Sequence, residues 1–356
     1  YSAAGQVTQQ RAGNGVTTTC TFEPQTQCLL TLRAVRDNDA TVLQDLSWSY
    51  DPVGNILSVT DATVITGHYQ NQTTGGTRTF TYDALYQLHT ATGRESAAST
   101  TAPYAELPAL LPADSSQFVP YSRTYAWDDS GNLQHFSHLG AASFTRTMVT
   151  ATDSDRSLLQ NSDSTLTPAD VAGAFDPCGN LLRLQVSASA SNNMVWDAGN
   201  SLQCVITLNR SDDLARSDRE IYQYSAGLRV RKQTRTLTNS ATNLWTVDEV
   251  RYLPGLEIRR SWQESGTTRT LNEERHDITT RAGRANIRLL RWLTGKPAGM
   301  PDSQLRYSLS DIIGSLSLEL DANGLIISRE EYYPFGGTAV WSARSETEAD
   351  YKVARY

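Results

Sequence analysis

Residues 50–56 read Tyr50-Asp51-Pro52-Val53-Gly54-Asn55-Ile56. This order predicts a β-hairpin, because aromatic side chains favour a pleated, half-buried strand and aspartate starts a turn by accepting backbone N–H bonds. Gly54 supplies a positive φ at little steric cost, and Asn55 tolerates the same region. The flanking residues 46–50 and 56–60 largely alternate between apolar and polar side chains, as strands do.

The pattern recurs along the whole chain with irregular spacing. The clearest further copies are Tyr82-Asp83, with Tyr86 at the glycine position, Trp127-Asp128 with Gly131, Phe175-Asp176 with Gly179, and Trp196-Asp197 with Gly199. Weaker copies begin at Tyr1, Tyr224 and Leu320. Repeats indicate the architecture, and the uneven spacing argues against a rigid solenoid of fixed coil length. The sequence therefore predicts an all-β protein with a curved sheet wound from repeated hairpins.

These copies resemble the YD repeats of Rhs proteins and of the insecticidal toxin complexes (Tc toxins). The C-terminal part separates the two families better. Residues 305–315, LRYSLSDIIGS, resemble the start of the Rhs-associated core, and residues 330–339 read Glu330-Glu331-Tyr332-Tyr333-Pro334-Phe335-Gly336-Gly337-Thr338-Ala339. The longer form of this string is typical of the Tc toxin C component, whereas ordinary Rhs proteins tend to carry a shorter one. Residues 295–297 and 343–356 continue the likeness.

The resemblance implies a structural function. In that family a C component joins a B component to form a hollow β-shell, which holds a variable C-terminal toxic segment unfolded until it passes to the translocation pore of the A component. The core closes one end and releases the effector by aspartyl-type autoproteolysis. We therefore expect residues 1–300 to form YD-repeat shell and residues 301–356 to begin the core. A location outside the cell, as part of a toxin complex, also follows from the resemblance.

The chain departs from the family pattern at its end. The family's cleavage region lies beyond the segment that ends at Arg355-Tyr356, and the chain begins at Tyr1 inside a repeat. We therefore expect a fragment or a truncated gene product, and no catalytic residue is carried over. Three alternatives remain: the shell of a Rhs-type toxin of bacterial competition, a cell-surface, carbohydrate-binding YD-repeat protein, and an autoprotease that would cut itself only with its natural C-terminal extension.

Composition favours a thin wall over a thick globule. The 356 residues are 39% apolar, below the typical range of about 45–50%. The net charge of −7 argues against a nucleic-acid partner. Residues 1–15 are polar and show no signal peptide, and no run of apolar residues is long enough to span a membrane.

The four cysteines predict neither zinc binding nor thioredoxin-like chemistry, because no CxxC pair exists. Cys20 and Cys28 could pair across a hairpin, although free thiols are favoured in a large repeat sheet. No cofactor is expected.

Two segments interrupt the repeats. Residues 96–122 contain Pro103, Pro108, Pro112 and Pro120, which disfavour a central strand and predict a loop or a short plug. Residues 345–354 are the best helix candidate, because three acidic residues lie near the start, where the helix dipole favours anions. Between residues 211 and 300 we expect longer strands: 220–236, 244–260, 269–276 and 286–294.

Candidate catalytic and metal sites have simpler structural interpretations. Asp129-Ser130-Gly131 matches an aspartic-protease signature, but a second copy is missing and the motif lies in a repeat turn. His135 and His138 would lie on opposite faces of a strand, which disfavours a shared metal. Gly295-Lys296 lacks the first glycine and the Ser or Thr of a P-loop.

Two charged segments are interpreted as surface. His276-Asp277 beside Glu273-Glu274 is expected at an exposed strand end. Arg281, Arg284, Arg288 and Arg291 are expected to point towards solvent or the lumen. The repeat aromatic residues could form a sugar-binding ladder, although packing between neighbouring copies is favoured.

Overall fold

The protein is described by a computed structural model covering residues 1–99, 110–112, 116–160, 165–185, 191–210 and 214–355. Its strands in the N-terminal half are β1 (Gln9–Arg11), β2 (Val16–Phe22), β3 (Leu29–Arg36), β4 (Thr41–Tyr50), β5 (Ile56–Asp61), β6 (Gly67–Tyr69), β7 (Gln72–Thr74), β8 (Thr77–Tyr82), β9 (Leu88–Ser96), β10 (Leu111–Pro112), β11 (Phe118–Trp127), β12 (Leu133–Leu139), β13 (Phe144–Thr150) and β14 (Ser157–Leu159).

The strands in the C-terminal half are β15 (Arg183–Gln185), β16 (Ser191–Trp196), β17 (Leu202–Leu208), β18 (Asp218–Ser225), β19 (Leu228–Asn239), β20 (Leu244–Leu253), β21 (Leu256–Ser265), β22 (Thr268–Ala282), β23 (Ala285–Thr294), β24 (Ser303–Ser310), β25 (Leu316–Leu320), β26 (Ile326–Tyr332) and β27 (Thr338–Ala343). Two short helices accompany them, α1 (Pro168–Gly173) and α2 (Glu346–Ala349).

The strands form two large sheets, each built mostly from hairpins between consecutive strands. The first sheet has the order β1-β2-β3-β4-β5-β8-β9-β11-β12-β13-β14, and the second runs β10-β27-β26-β25-β24-β23-β22-β21-β20-β19-β18-β17-β16-β15. The hairpin β6-β7 leaves the first sheet between β5 and β8. Both sheets are curved. The prediction of a curved, all-β fold is confirmed.

The two sheets meet along a seam, which we define by the buried cluster of Val16, Ala34 and Leu43 from the first sheet and Tyr307, Leu318 and Leu320 from the second. Polar contacts reinforce the seam. The Asn14 amide donates to the carbonyl of Asp321, and the Arg36 guanidinium donates to that of Gly324. The seam thus joins residues that are far apart in the sequence, such as Asn14 and Asp321, which are 307 positions apart.

Several predicted boundaries differ from the observed ones. The predicted helix over residues 345–354 is only one turn, α2, because the chain beyond it packs against the second sheet. The predicted strands 220–236 and 244–260 each contain a tight turn, so each is a hairpin. Among the described residues no helix is long and apolar enough to cross a membrane.

The proline-rich segment 96–122 is partly strand. Pro120 lies in β11 opposite Arg94 of β9, and the prediction that its region avoids a strand is wrong. The physical reason is register: the pairing of β11 with β12 begins only at Ser122, so the missing N–H of Pro120 leaves no ladder bond unmade on that side. Pro112 ends the two-residue strand β10. Pro103 and Pro108 lie outside the described residues.

Candidate functional site: the repeat turns and the contacts of residues 330–335

The repeat turns share one hydrogen-bond geometry. In each, one carboxylate oxygen of the aspartate accepts the N–H groups two and four residues later; for Asp51 these are Val53 at 3.0 Å and Asn55 at 2.8 Å. Among the residues that the structure describes, seven aspartates, which we call the turn aspartates, bond in this way: Asp51, Asp83, Asp128, Asp176, Asp197, Asp311 and Asp321. Asp129 lies inside one of these turns, as its neighbours predicted.

The residue three positions after the turn aspartate has a positive φ. Glycine occupies this position in most copies, with φ of 98° at Gly54, 85° at Gly131 and 90° at Gly179. Tyr86 takes φ of 62° in the glycine position of its copy. In the Trp196 copy it is Asn200, at 60°, and not Gly199, that adopts the left-handed conformation. Counting from the aspartate, not from the nearest glycine, would have found it.

The asparagine of the motif has a role that sequence reasoning missed. Asn55 does not need a positive φ; its side-chain amide donates to the second carboxylate oxygen of Asp51 at 2.8 Å. Asn132 and Asn180 do the same for Asp128 and Asp176. These amides, with the backbone N–H groups, hold the pKa of Asp128 and Asp176 below the ordinary value.

The repeat aromatic residues connect one copy to the preceding one. The Tyr82 hydroxyl donates to the carbonyl of Ile56 at 3.0 Å, and the Trp127 indole N–H donates to that of Leu88 at 2.8 Å. Each acceptor is the aliphatic residue that closes the previous turn. Further bonds of this type are Tyr50 to Leu29, Trp196 to Leu181 and Tyr332 to Leu316. We call these five contacts the inter-repeat bonds.

The bond from Tyr50 identifies a copy that the sequence pattern did not reveal. Its acceptor, Leu29, closes a turn in which the Glu23 carboxylate accepts the N–H of Gln25 and Gln27 adopts φ of 61°. Glutamate replaces aspartate, and the turn is one residue longer, so the motif does not match. Conversely, the weak copy at Tyr224 is a tight hairpin closed by Ala226 and Gly227 and has no turn aspartate.

Residues 330–335 bind three parts of the molecule at once. Glu330 pairs with Lys352 at 3.0 Å and Arg355 at 2.6 Å, and Glu331 pairs with Arg94 of β9. We call Glu330, Glu331, Tyr332, Tyr333 and Phe335 the clamp, and residues 344–355 the tail. Alternation along β26 directs successive clamp side chains to opposite faces of the second sheet.

On the side of the first sheet, the clamp reaches a buried polar cluster. The Tyr333 hydroxyl donates to the carboxylate of Glu95, which also lies 3.2 Å from His138 Nε2. The Arg123 guanidinium stacks 3.3 Å from the centre of the Tyr333 ring and donates from Nε to His138 Nδ1 at 3.0 Å. All four side chains are buried. Pro334 and Gly336 close the turn that follows, where Gly336 has φ of 92°.

Phe335 extends the contact to two repeat aromatic residues. Its ring lies 5.4 Å from that of Tyr125 and 6.2 Å from that of Trp127, both in edge-to-face geometry. The Trp127 side chain therefore contacts the clamp residue Phe335 and also donates the inter-repeat bond to Leu88. Such contacts match the packing interpretation of the aromatic residues.

The surface predictions for two charged segments are wrong at Asp277 and Arg288, which are buried, whereas Arg281 and Arg291 are exposed as predicted. Asp277 is fully buried beside Arg275 at 2.6 Å, and Arg288 lies between Asp277 and Glu319 at 4.0 and 3.4 Å. The reason is the tail, which covers this face: the Tyr351 carbonyl accepts a hydrogen bond from Arg288. Burial lowers the pKa of Arg288 from its ordinary value.

The remaining candidates have structural partners. His135 is exposed and His138 is buried, on opposite faces of β12 as predicted, and no group of three metal-ligating side chains occurs within the described ranges. All four cysteines, at positions 20, 28, 178 and 204, are free thiols. Cys20 packs in the core of the first sheet with Leu32 and Trp48.

Comparison with known proteins places this architecture. No protein-family model matches the chain. Toxin subunit YenC2 of Yersinia entomophaga is 39% identical over 367 residues, and YenC1 of the same organism is 38% identical over 364. Each alignment covers 100% of this chain and 36% of the relative.

This chain is similar over its whole length to Tc toxin C subunits. Solved structures agree: it matches the Photorhabdus luminescens Tc holotoxin pore, which contains TccC3, with a TM-score of 0.88 at 39% identity. The crystal structure of TcdB2-TccC3 gives 0.87 at 41%. The matches cover all of this chain and 16% and 17% of those chains. The chain thus spans about a third of the length of the curated Tc C subunits it matches, and the resemblance to the Tc toxin C component is confirmed.

Proposed function

We propose that this chain forms part of the wall of a hollow shell in which a Tc toxin C component and a B component enclose an unfolded C-terminal effector. The observation that carries the proposal is the similarity of the whole of this chain to part of YenC2 and of TcdB2-TccC3, with the same fold at about 40% identity. The B component connects the shell to the pore-forming A component. The assembly acts outside the producing cell.

The residue contacts support a mechanical role. Turn aspartates fix the repeat turns and inter-repeat bonds join five pairs of successive turns, so the sheet resists bending at those positions. A wall that confines a passenger must keep its shape without a thick core behind it. The clamp then ties the second sheet to the first through Glu331 and Tyr333.

We assign this chain no catalytic residue and no cofactor. The turn aspartates are engaged with backbone N–H groups, and the release of an effector belongs to sequence beyond Arg355 in the family. The division into shell residues 1–300 and core-like residues 301–356 stays a prediction; the boundary falls between β23 and β24, which pair in one sheet.

The experiment is co-expression of the chain, extended to a natural C-terminal effector, with a B-type partner, followed by negative-stain microscopy. We expect closed hollow particles and protection of the effector from added protease. Particles that form but leave the effector fully digestible would contradict encapsulation. Separate, open proteins without particles would contradict the shell itself and favour a surface-binding function.

A further inference from the structure

A cleft of about 400 Å³ lies on one face of the second sheet, across β19 to β22. Arg260 lies on this face and is paired across strands with Glu274 of β22. Thr280 lies on the same face of β22 as Glu274, and it is paired with Ile287 of β23, which packs at the seam. At the seam this face is covered by the first sheet, whereas over β19 to β22 it is open. The cleft thus continues the face of the second sheet that packs against the first sheet at the seam.

Arginine outnumbers acid in the cleft. Glu249 is shared by Arg231 at 2.6 Å and Arg251 at 2.7 Å. A second carboxylate, Glu264, is shared by Arg235 at 3.2 Å and Arg269 at 3.0 Å. Each triad therefore keeps one uncompensated positive charge in a chain whose net charge is −7. A guanidinium forms paired hydrogen bonds with a carboxylate, so the surplus favours acidic ligands.

The accessible guanidinium of each triad faces solvent. The Arg251 side chain is 52% exposed and that of Arg269 is 67% exposed, whereas Glu249 beneath is only 3% exposed. The carboxylates thus lie at the base of the cleft and the free donors at its rim. An incoming acidic group meets the arginines first.

Two apolar side chains, Trp262 and Leu271, lie among the charged residues that line the cleft. Leu271 is 46% exposed, whereas Trp262 packs with Trp245 and Val247 in a buried cluster beneath the surface. Four neighbouring strands span roughly 14 Å, the length of about four extended residues. A strand-like segment with alternating acidic and aliphatic side chains fits this combination of a charged rim and the exposed Leu271 side chain.

A nucleic acid fits less well. The tryptophan rings are 5% and 8% exposed, so no ring face is open for base stacking. The carboxylates of Glu249, Glu264 and Glu274 also separate the arginines from one another, which suits spaced acidic side chains better than a continuous phosphate backbone. These two observations favour a peptide over a polyanion.

We propose that the cleft between Arg251 and Arg269 binds an extended acidic–aliphatic peptide segment of a partner protein. The site does not depend on the shell function, because it requires only the second sheet. The contact is electrostatic in origin, so added salt weakens it.

The test uses the full chain and a fluorescein-labelled peptide of about ten residues that alternates aspartate and leucine, followed by fluorescence anisotropy. We expect saturable binding that Arg251→Gln with Arg269→Gln weakens by about tenfold or more, since two charge-assisted contacts are lost. Arg11→Gln with Arg33→Gln is the matched control: these side chains are 72% and 52% exposed in the first sheet and should leave binding unchanged.

Further probes separate the alternatives. A lysine–leucine peptide should not bind, and Arg251→Lys with Arg269→Lys should bind with intermediate affinity because charge persists without the planar fork. Thermal melting checks that each variant folds. No binding of the acidic peptide, an unchanged affinity in the glutamine variant, or preferential binding of oligothymidylate or heparin would each overturn the proposal.

Discussion

The hydroxyl of Tyr82 donates a hydrogen bond to the carbonyl oxygen of Ile56, 26 residues earlier, at 3.0 Å. Ile56 closes one repeat turn and Tyr82 opens the next, so this bond connects two successive copies directly. The hairpin β6-β7 lies between β5 and β8 in the sequence, so no tight turn fixes the register of these two strands, and the bond helps to fix it instead.

Tyr82→Phe should lower the free energy of unfolding by about 1 kcal/mol, because the hydroxyl is lost and the Ile56 carbonyl keeps no side-chain donor. Tyr86→Phe is the matched control, since Tyr86 is 59% exposed. Urea denaturation measures both. Equal effects of the two substitutions would show that the inter-repeat bond contributes nothing to stability.

Gly54→Ala should destabilise by about 1 kcal/mol through backbone strain alone, because the left-handed region is costly for a residue with a Cβ. A Cβ at Gly54 would meet no atom within 4 Å, so no clash adds to the cost. Gly173→Ala, also in open space but at the end of α1, should be neutral or slightly stabilising. A similar loss in both variants would exclude the φ explanation.

Asp128 and Asp311 should respond oppositely to pH. Asn132 and backbone N–H groups lower the pKa of Asp128, so its contribution to stability is present above the unfolded pKa of about 3.9 and is lost as pH falls through the folded one. Burial raises the pKa of Asp311, so its ionised form costs stability as pH rises through that range.

We therefore expect Asp128→Asn to destabilise at pH 7 and Asp311→Asn to be neutral or stabilising there. The difference between the two variants should shrink towards pH 3. Urea unfolding at several pH values measures this, with Asp129→Asn, a neighbour in the same turn, as control. If both variants lose the same stability at pH 7, burial of Asp311 does not govern its titration.

Lys352→Met should destabilise by about 3 kcal/mol, because it leaves Glu330 buried with one cation fewer. Both side chains of this pair have no solvent exposure. Glu330→Gln should cost more, since it leaves both Lys352 and Arg355 without their carboxylate. Lys296→Met, from a pair that is 37% and 92% exposed, should cost little.

Hydrogen exchange should localise the effect of Lys352→Met to the tail and to β26. The double variant with Glu330→Gln should recover part of the loss, because no unpaired carboxylate remains. Uniform loss of protection across both sheets would mean that the tail is not a separate unit.

Sequence predicted what is local. The hairpin at Tyr50–Ile56 depends on contacts within seven consecutive residues, so residue types sufficed. The sequence pattern missed the turn at Glu23, because this turn has glutamate in place of aspartate and one additional residue. The burial of Asp277 and Arg288 was not predictable from alternation along β22 and β23, since what covers them is the tail, far along the chain. The family resemblance identified the string at residues 330–339, but only the structure shows that its side chains connect two sheets.

The contact between Tyr333 and Glu95 also has a consequence for how the protein is made. The two residues are 238 positions apart. At a synthesis rate of about 5–20 residues per second, Glu95 leaves the ribosome roughly 10–50 s before its partner exists. During that interval the first sheet has no clamp, and the seam lacks Tyr307, Leu318 and Leu320. The two sheets can therefore join only after Tyr333 has been synthesised, so the first sheet must persist for that interval without the contacts that later bury Glu95.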